Sequence, residues 1–238
     1  MFAILLHIYY KESWKSYFKE NFSAIKDRPF HLLVNLSIDM EDKGAVIADI
    51  KQDFSEAFII ETPNVGKDIG GKLALIDLFI RMNIQADHLV LLHDKKSPQA
   101  ITGDRWRDIL LKIINPDVID TIYKSFSRDD RLGIAGAKEF IMDEYSKENR
   151  SRNNGEIAFR LAESYGIETK DHRFIAGTMF WIRTPLFKTF FSVNPPLECR
   201  KKLEAGNVMD TENGSLTHSW ERVFCWIATA RGYKIKGV

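Results

Sequence analysis

A glycine-rich stretch decides how this chain folds, and it reads Asn64-Val-Gly-Lys-Asp-Ile-Gly-Gly-Lys-Leu73. It follows an apolar strand pattern and begins a helix that has one apolar face. The next apolar strand pattern, His88–Leu92, runs directly into His-Asp-Lys-Lys at positions 93–96. A strand, a glycine-rich turn, a helix and a second strand make a βαβ unit, in which glycines allow close approach and the helix N-terminus attracts an anion. The stretch therefore predicts a site for a phosphorylated ligand at the carboxyl ends of the strands.

The rest of the chain also alternates strand and helix patterns. Apolar runs predict strands at Phe2–Tyr9, Phe30–Leu36, Ala57–Ile60, His88–Leu92, Leu132–Ala135 and Phe174–Arg183, the last interrupted at Gly177. Helical spacing predicts helices at Glu12–Ile25, Ala45–Ile50, Leu73–Met82, Trp106–Ile114, Asp117–Phe126, Ile157–Tyr165 and Thr217–Ala230. Asp143–Gly155 is predicted to be an exposed loop and Val193–Leu216 to be irregular. This alternation predicts an α/β fold, a single Rossmann-like domain whose mostly parallel central sheet is flanked by helices.

Composition limits the classes of protein that fit. A chain of 238 residues with 45% hydrophobic and 28% charged residues can bury the core of one large domain. Its net charge of +1 is too small to create the positive electrostatic field that attracts nucleic acid. Cys199 and Cys225 lack metal-ligand spacing, so we expect two reduced thiols. Met1–Tyr10 lacks the basic region and cleavage site of a signal peptide, and no apolar run is long enough to cross a bilayer, so we expect a cytosolic protein.

The segment from Gly66 to Lys72 almost satisfies the P-loop pattern of nucleotide hydrolases and kinases. That pattern requires Ser or Thr as a magnesium ligand at the next position, where this chain has Leu73. A P-loop-like nucleotide hydrolase is therefore one alternative. A purely structural alternative is that Gly70 and Gly71 let the helix pack close to the sheet, which is compatible with a ligand role.

Charged residues follow the predicted strand His88–Leu92 directly. Asp94 follows His93 directly, and its carboxylate can hold a divalent metal that binds a diphosphate. Lys95 and Lys96 can instead neutralise the phosphate charge without a metal. The alternative is a solvated turn that happens to carry charges. A functional role is favoured because the charges lie where a ligand crevice is expected in an open α/β sheet.

Two later segments carry further candidates. His218, Glu221 and Arg222 share one face of the last predicted helix, so the glutamate can act as a general base; the alternative is a surface group of mutual salt bridges. Gly177 allows close approach of a ligand to the backbone, and Thr178 can donate a hydrogen bond to it. The alternative there is ordinary core packing of the aromatic residues that follow.

Taken together, these segments resemble the rhamnan synthesis protein F family of bacterial polysaccharide assembly, whose members are regarded as glycosyltransferases. The resemblance extends from about Phe2 to the C-terminus. It rests on five motifs in the same order: His7-Ile-Tyr-Tyr10, Asn64-x-Gly-x-Asp-x-Gly-Gly71, His93-x-Lys-Lys-Ser97, Ala176-Gly-Thr-Met-Phe-Trp181 and His218-x-x-Glu-Arg222.

The chain is also similar to family 2 glycosyltransferases of GT-A fold. This likeness implies one domain over residues 1–238, with a nucleotide-sugar-binding half at 1–100 and an acceptor-side half at 101–238. It places Asp94 at the metal-binding carboxylate and Glu221 at the position of the base. Lys96 stands where the second metal-binding Asp would be, which leaves open whether Mg²⁺ or Mn²⁺ binds or whether Lys95 and Lys96 replace the metal. The likeness also puts His7, Tyr9, Asn35 and Asp39 beside the nucleobase.

The resemblance implies transfer of a sugar, L-rhamnose from a dTDP donor being the first expectation, to a growing bacterial cell-surface glycan. The expected partners are a nucleotide-sugar, a glycan or lipid-linked glycan acceptor and other polysaccharide-synthesis enzymes, with the protein in the cytoplasm, free or at the inner face of the membrane. The catalytic candidates are Glu221 and His218. The donor-binding candidates are His7, Tyr9, Asn64, Gly66, Asp68, Gly70, Gly71, His93, Lys95, Lys96, Gly177, Thr178 and Arg222. A non-catalytic glycan-binding or scaffolding domain is the second alternative.

Overall fold

A computed structural model of the chain describes residues 1–94, 103–146, 154–209 and 213–238. Within these residues, nine strands form two sheets. The central sheet contains Phe2–Ile8 (β1), Phe30–Ser37 (β2), Phe58–Thr62 (β3), His88–His93 (β4), Leu132–Gly136 (β5), Phe180–Arg183 (β8) and Lys234–Gly237 (β9). The small second sheet pairs Ile141–Asp143 (β6) with Arg173–Ile175 (β7) in antiparallel orientation.

The strand order of the central sheet is β3-β2-β1-β4-β8-β5-β9. Only β8 runs against its neighbours β4 and β5, so the described sheet is mostly parallel, which confirms the predicted Rossmann-like α/β fold. From β1 the chain adds β2 and β3 on one side and then crosses to place β4 on the other. The carboxyl ends of β1 and β4 therefore form a topological switch point, where open α/β sheets bind their ligands.

The helices flank this sheet. They span Lys19–Ser23 (α1), Lys43–Asp53 (α2), Lys67–Arg81 (α3), Gly103–Leu111 (α4), Pro116–Arg128 (α5), Asn154–Ser164 (α6), Thr184–Val193 (α7), Pro196–Arg200 (α8) and Leu216–Thr229 (α9). Every residue of β1 and β4 is buried, because helices cover both faces of a parallel sheet and its strands are continuously apolar. The polar exceptions in these two strands are His88, at the start of β4, and His7 and His93, near the carboxyl ends.

The glycines of α3 let the helix approach the sheet, as one sequence interpretation held. A Cβ atom on Gly71 would lie 2.3 Å from the His7 Nδ1 atom, and one on Gly70 would lie 1.7 Å from the Val65 carbonyl oxygen. A side chain at position 71 would push the helix away from β1, and one at position 70 would collide with the turn that precedes the helix. The close approach brings the first turns of α3 against the end of β1.

The prediction of one interrupted strand over Phe174–Arg183 is wrong. The segment forms β7 and β8, which belong to different sheets. Gly177 and Thr178 between them have φ angles of 82° and 50°, a left-handed conformation that no strand can contain. The chain reverses there, so the predicted interruption is a turn between two strands.

Other differences are smaller. Trp14–Phe18 is a π-helical turn that precedes α1, and the predicted irregular region Val193–Leu216 contains the short helix α8. Strands β6 and β9 were not predicted because they are only three and four residues long. Both cysteines are buried and free, as expected. Among the helices of the described residues, none has the length and apolar character needed to cross a membrane.

Candidate functional site

Polar side chains form a row across the sheet near the switch point. His7 on β1 is the register partner of Asn35 on β2 and of His93 on β4, and the next residue, Asp94, donates its N–H to the His7 carbonyl oxygen over 3.1 Å. All four side chains are buried. The ends of β1, β2 and β4 therefore bring the His93–Asp94 motif next to His7 and Asn35.

His7 is held neutral in this row. Asn35 Nδ2 donates to His7 Nδ1 over 2.9 Å and to Thr62 Oγ1 over 3.0 Å. Burial lowers the pKa of His7 to about 4, with Lys72 and Arg200 adding to the decrease and Asp68 opposing it. Because Nδ1 accepts a hydrogen bond from an amide, the ring proton of the neutral form is on Nε2.

Lys72 is the centre of a buried cluster. Its side chain has 0% exposure, and its Nζ atom lies 2.8 Å from Asp68 Oδ2, 3.0 Å from His93 Nδ1 and within a short hydrogen bond of Thr178 Oγ1. An ammonium group can only donate, so His93 Nδ1 is the acceptor in this contact. The Thr178 hydroxyl in turn donates to Asp68 Oδ2 over 2.7 Å.

The environment of Asp68 keeps its carboxyl group ionised. Burial alone would raise the pKa, but the neighbouring His93 and Lys72 and the hydrogen bonds from Lys72 and Thr178 hold the pKa of Asp68 well below its usual value. The side chain is still 21% exposed. Asp68 is therefore a charged, partly exposed acceptor near the switch point.

The Gly177–Thr178 turn joins two carboxylates. Thr178 donates to Asp68, and the Gly177 N–H donates to Glu221 Oε1 over 2.6 Å. Thr178 has a left-handed φ of 50°, which is unusual for a β-branched residue, and a Cβ on Gly177 would lie 2.9 Å from Leu110 Cδ1. Strained backbone of this kind persists where the surrounding structure fixes it, and it clusters at functional sites.

Glu221 is oriented by a buried arginine. Arg222 Nη1 donates to Glu221 Oε2 over 2.7 Å, while Arg222 Nε donates to Glu144 Oε2 over 2.8 Å. The Arg222 guanidinium centre also lies 4.5 Å from the ring centroid of Phe174. Arg222 and Glu144 are buried, and Glu221 keeps 21% of its side chain exposed, so this group is not the surface set of salt bridges that was the alternative.

His218 lies at the start of α9. Its Nδ1 atom is 2.6 Å from the hydroxyl of Ser215, which is the N-cap residue and accepts the His218 N–H over 3.1 Å. The His218 carbonyl oxygen accepts a hydrogen bond from Arg222 Nη1, one turn later on the helix, over 2.9 Å. The structure thus brings the two catalytic candidates to the same end of one helix.

A second segment covers the glycine-rich turn. Gly66 donates its N–H to the Glu204 carbonyl oxygen over 2.7 Å, and Asn64 Nδ2 donates to Asn207 Oδ1 over 2.9 Å. Asn207 Nδ2 then donates to the Tyr9 hydroxyl over 3.3 Å. Asn64, Gly66 and Tyr9 are therefore linked through residues 204–207, a segment that the sequence patterns did not connect to the turn.

Asp94 holds the loop after β1. Its carboxylate accepts the Tyr9 N–H over 2.9 Å at both oxygens and the Tyr10 N–H over 2.7 Å at Oδ2. Burial raises the pKa of Asp94 to about 7, although these backbone hydrogen bonds oppose the increase. The group is 6% exposed and already accepts several hydrogen bonds.

This donor set does not fit a divalent metal. A metal site needs several oxygen ligands free to coordinate, and both Asp94 oxygens are turned to backbone N–H groups. Residues 1–94, 103–146, 154–209 and 213–238 contain no group of three or more His, Cys, Asp or Glu side chains that could hold a metal ion. Lys95 and Lys96 lie outside the described residues.

Three residues that the sequence motifs do not assign to the site contribute to its geometry. Lys72 was part of the P-loop comparison, and its spacing of four residues from Asp68 was the available signal. Arg200 donates to the Gly70 carbonyl over 3.2 Å, and Glu144 binds Arg222. No sequence pattern indicated these last two, because they come from distant elements. Asp39, expected near the nucleobase, lies in an exposed turn after β2.

The fold and this cluster of polar side chains define a Rossmann-like α/β domain with a polar site at the topological switch point. The chain belongs to the rhamnan synthesis protein F family, whose model matches residues 1–233. It is similar to a protein named uncharacterized protein WxcX in two strains of Xanthomonas campestris pv. campestris, B100 and ATCC 33913, with 25% identity over 241 residues in each. The alignments cover 99% of this chain and 32% of each relative, so the chain spans about a third of the length of these curated relatives.

Proposed function

We propose that this domain is a glycosyltransferase that moves a sugar from a nucleotide-sugar to a growing bacterial cell-surface polysaccharide. The family name, rhamnan synthesis protein F, supports polysaccharide synthesis and makes L-rhamnose from dTDP-rhamnose the first donor to test. The acceptor is a glycan or lipid-linked glycan, and the place of action is the cytoplasm or the inner face of the cell membrane. Other polysaccharide-synthesis enzymes are the proposed protein partners.

One observation supports this proposal above the others. Three segments that are far apart in the chain meet at the switch point: the start of α3, the end of β4 and the Gly177–Thr178 turn, to which Glu221 is hydrogen-bonded. They supply an ionised acceptor, Asp68, on one side of the turn and a second carboxylate, Glu221, on the other. The hydroxyl groups of a sugar donor can donate hydrogen bonds to Asp68. The hydroxyl group of the acceptor must lose a proton, and Glu221 can serve as the base that takes it.

In the proposed mechanism, Glu221 removes the proton from the acceptor hydroxyl while the oxygen bonds to the anomeric carbon and the nucleoside diphosphate leaves. The hydrogen bonds from the Gly177 N–H and Arg222 fix the carboxylate, which lowers the cost of orienting it. His218 lies one turn before Glu221 on α9, and we propose that it is a second group that can accept or donate a proton. Lys95 and Lys96 are proposed to neutralise the leaving diphosphate. We assign no step to a metal, because Asp94 does not fit as its ligand.

A P-loop nucleotide hydrolase is not favoured. A P-loop lysine must reach the phosphates of the nucleotide. Lys72 instead is completely buried and donates to Asp68, His93 and Thr178. Leu73 is buried in the core, so no hydroxyl stands where that class binds magnesium.

The decisive experiment measures donor binding and sugar transfer with the same protein. Wild type is screened by thermal shift against dTDP-rhamnose, UDP-glucose and GDP-mannose, each with and without Mn²⁺, and then assayed for transfer to glycan acceptors. For Glu221→Gln we expect a loss of turnover of about 10²- to 10⁴-fold, because the amide cannot take the proton, with the donor-induced shift kept. Glu163→Gln, an exposed glutamate on α6, is the matched control and should behave as wild type.

Two results would contradict the proposal. Unchanged turnover in the Glu221→Gln variant would remove Glu221 as the base. Failure of every nucleotide-sugar to shift the wild type, together with binding of glycans, would favour the non-catalytic glycan-binding domain.

A further inference from the structure

Lys72 has no exposed surface, yet it connects three elements of the candidate site. Its ammonium group contacts Asp68 in the first turn of α3, His93 at the end of β4 and Thr178 in the strained turn before β8. A buried charge is tolerated only with a partner, and the partner here is Asp68. Lys72 is therefore placed to act on the site through its neighbours and not by touching a ligand.

The two oxygen atoms of Asp68 differ sharply. Oδ2 accepts from Lys72 over 2.8 Å and from Thr178 over 2.7 Å, and it lies 3.6 Å from His93 Nδ1. Oδ1 has no hydrogen bond within the part of the chain that the structure describes, although the side chain is 21% exposed. Oδ2 is thus used to fix the group, and Oδ1 keeps its capacity to accept hydrogen bonds on the partly exposed side of the carboxylate.

We propose that Lys72 is a positioning residue that fixes Asp68 through Oδ2, so that Oδ1 accepts hydrogen bonds from hydroxyl groups of the donor. This inference rests on the proposed function for the identity of the ligand, a nucleotide-sugar. The hydroxyl groups belong to its ribose or its sugar, and both present the same donor chemistry.

The charges around Asp68 explain why the lysine is needed. The groups that face its carboxylate are Lys72 from the same helix, His93 from β4, Thr178 from the turn and His7 from β1. Burial raises the pKa of Asp68, and His93 and Lys72 are the main opposing influences, Lys72 through both its charge and its hydrogen bond. Without the ammonium group, the pKa of Asp68 should rise, and the carboxyl group should become protonated at mildly acidic pH.

The first test measures binding of dTDP-rhamnose, UDP-glucose and GDP-mannose as a function of pH. In wild type, affinity for the bound donor should change little between pH 5.5 and pH 8. Lys72→Met should weaken binding about 10-fold at pH 8 and more at pH 5.5, because a hydrogen bond to a charged group is lost as Asp68 protonates. In Lys72→Met/Asp68→Asn, binding should be weak at every pH.

The same helix provides a matched control. Asp77 and Arg81 form an ion pair with the same spacing of four residues, 2.6 Å long, more than two helical turns beyond Asp68 on the same helix. The double variant Asp77→Asn/Arg81→Met should bind the donor as wild type does, at both pH values. Wild-type affinity in the Lys72→Met variant would overturn the proposal.

A second measurement does not depend on any donor, so it separates this inference from the proposed function. The free energy of unfolding is measured between pH 4 and pH 7 for Lys72→Met and for Lys72→Met/Asp68→Asn. A raised pKa of Asp68 in the folded single variant gives stability that is present at pH 4 and is lost as pH rises, and the double variant should lack this loss. Identical pH dependence in the two variants would show that Lys72 does not control Asp68.

If Lys72→Met does not fold, the titration of Asp68 in the wild type gives the answer directly. The ¹³C resonance of the Asp68 carboxyl group should stay constant above about pH 4, because the group remains ionised. A midpoint at or above the ordinary value for aspartate would overturn the proposal. Thr178→Ala, which removes one donor to Oδ2 and keeps the ammonium group, should weaken donor binding less than Lys72→Met.

Discussion

Asp68 and Asp94 lie near the same edge of the sheet, yet the pKa values of the two carboxyl groups shift in opposite directions. Asp68 contacts the Lys72 ammonium group, and its pKa is held well below the usual value. Asp94 accepts hydrogen bonds from the N–H groups of Tyr9 and Tyr10, and its pKa is raised to about 7. A nearby full charge outweighs the burial of Asp68, whereas neutral N–H donors do not outweigh the burial of Asp94.

This difference separates the carboxylate that we propose to bind the donor from a structural one. Asp68 is 21% exposed and keeps one oxygen available, whereas Asp94 is 6% exposed and uses both oxygens to hold the loop after β1. The position that the glycosyltransferase likeness indicated for metal binding is therefore occupied by a loop anchor. The polar group that is available to a donor belongs to the glycine-rich turn.

The largest expected effect comes from removing Asp68. Asp68→Ala leaves the Lys72 ammonium group buried without its carboxylate, so we expect the free energy of unfolding at pH 7 to fall by about 3–5 kcal/mol. Denaturant unfolding measures this loss. Asp77→Ala on the same helix removes a carboxylate that is only 12% exposed, but its partner Arg81 is 67% exposed and can be hydrated by water instead, so the loss should be smaller, about 1–2 kcal/mol. Equal losses in the two variants would mean that Lys72 does not depend on Asp68.

The pH dependence of stability tests the other carboxyl group. The pKa of Asp94 rises from 3.8 to about 7 on folding, so its contribution is fully present below pH 3.8 and is lost as pH rises towards 7. The unfolding free energy of wild type should therefore fall by up to about 1.4 kcal/mol per pH unit over this range because of this group. Asp94→Asn should lack that decrease, which unfolding curves at pH 4, 5, 6 and 7 measure. A parallel decrease in both proteins would show that Asp94 is not shifted.

The sequence was sufficient to predict the architecture of the domain because its signals are local. Continuous apolar runs at β1 and β4 and helical spacing at α3 each require only neighbouring residues. The Gly177–Thr178 reversal was read as an interruption of one strand, since a left-handed φ at Thr178 is imposed by tertiary contacts that a pattern does not contain.

The candidate site was predictable only in part, because it also depends on tertiary contacts that a sequence pattern does not contain. The motifs around Asp68, His93 and Glu221 were recognised separately, and the parallel topology explains why they meet. The role of each residue in the candidate site depends on which atoms are in contact. Asp94 could not be identified as a loop anchor without its contacts to Tyr9 and Tyr10, and the link between Arg222 and Glu144 joins residues 78 positions apart.

The smallest effect is expected for Tyr9→Phe. This variant tests whether the loop after β1 is held by its backbone N–H groups or by the Tyr9 hydroxyl. Tyr9→Phe keeps the N–H that Asp94 accepts and removes only the hydroxyl that accepts from Asn207 over 3.3 Å. Because that hydrogen bond is long and exposed, the free energy of unfolding should change by less than about 0.5 kcal/mol. Donor affinity should also stay close to wild type, since the aromatic face is kept. A stability loss as large as that of Asp68→Ala would mean that the Tyr9 hydroxyl, and not the Asp94 carboxylate, holds this loop.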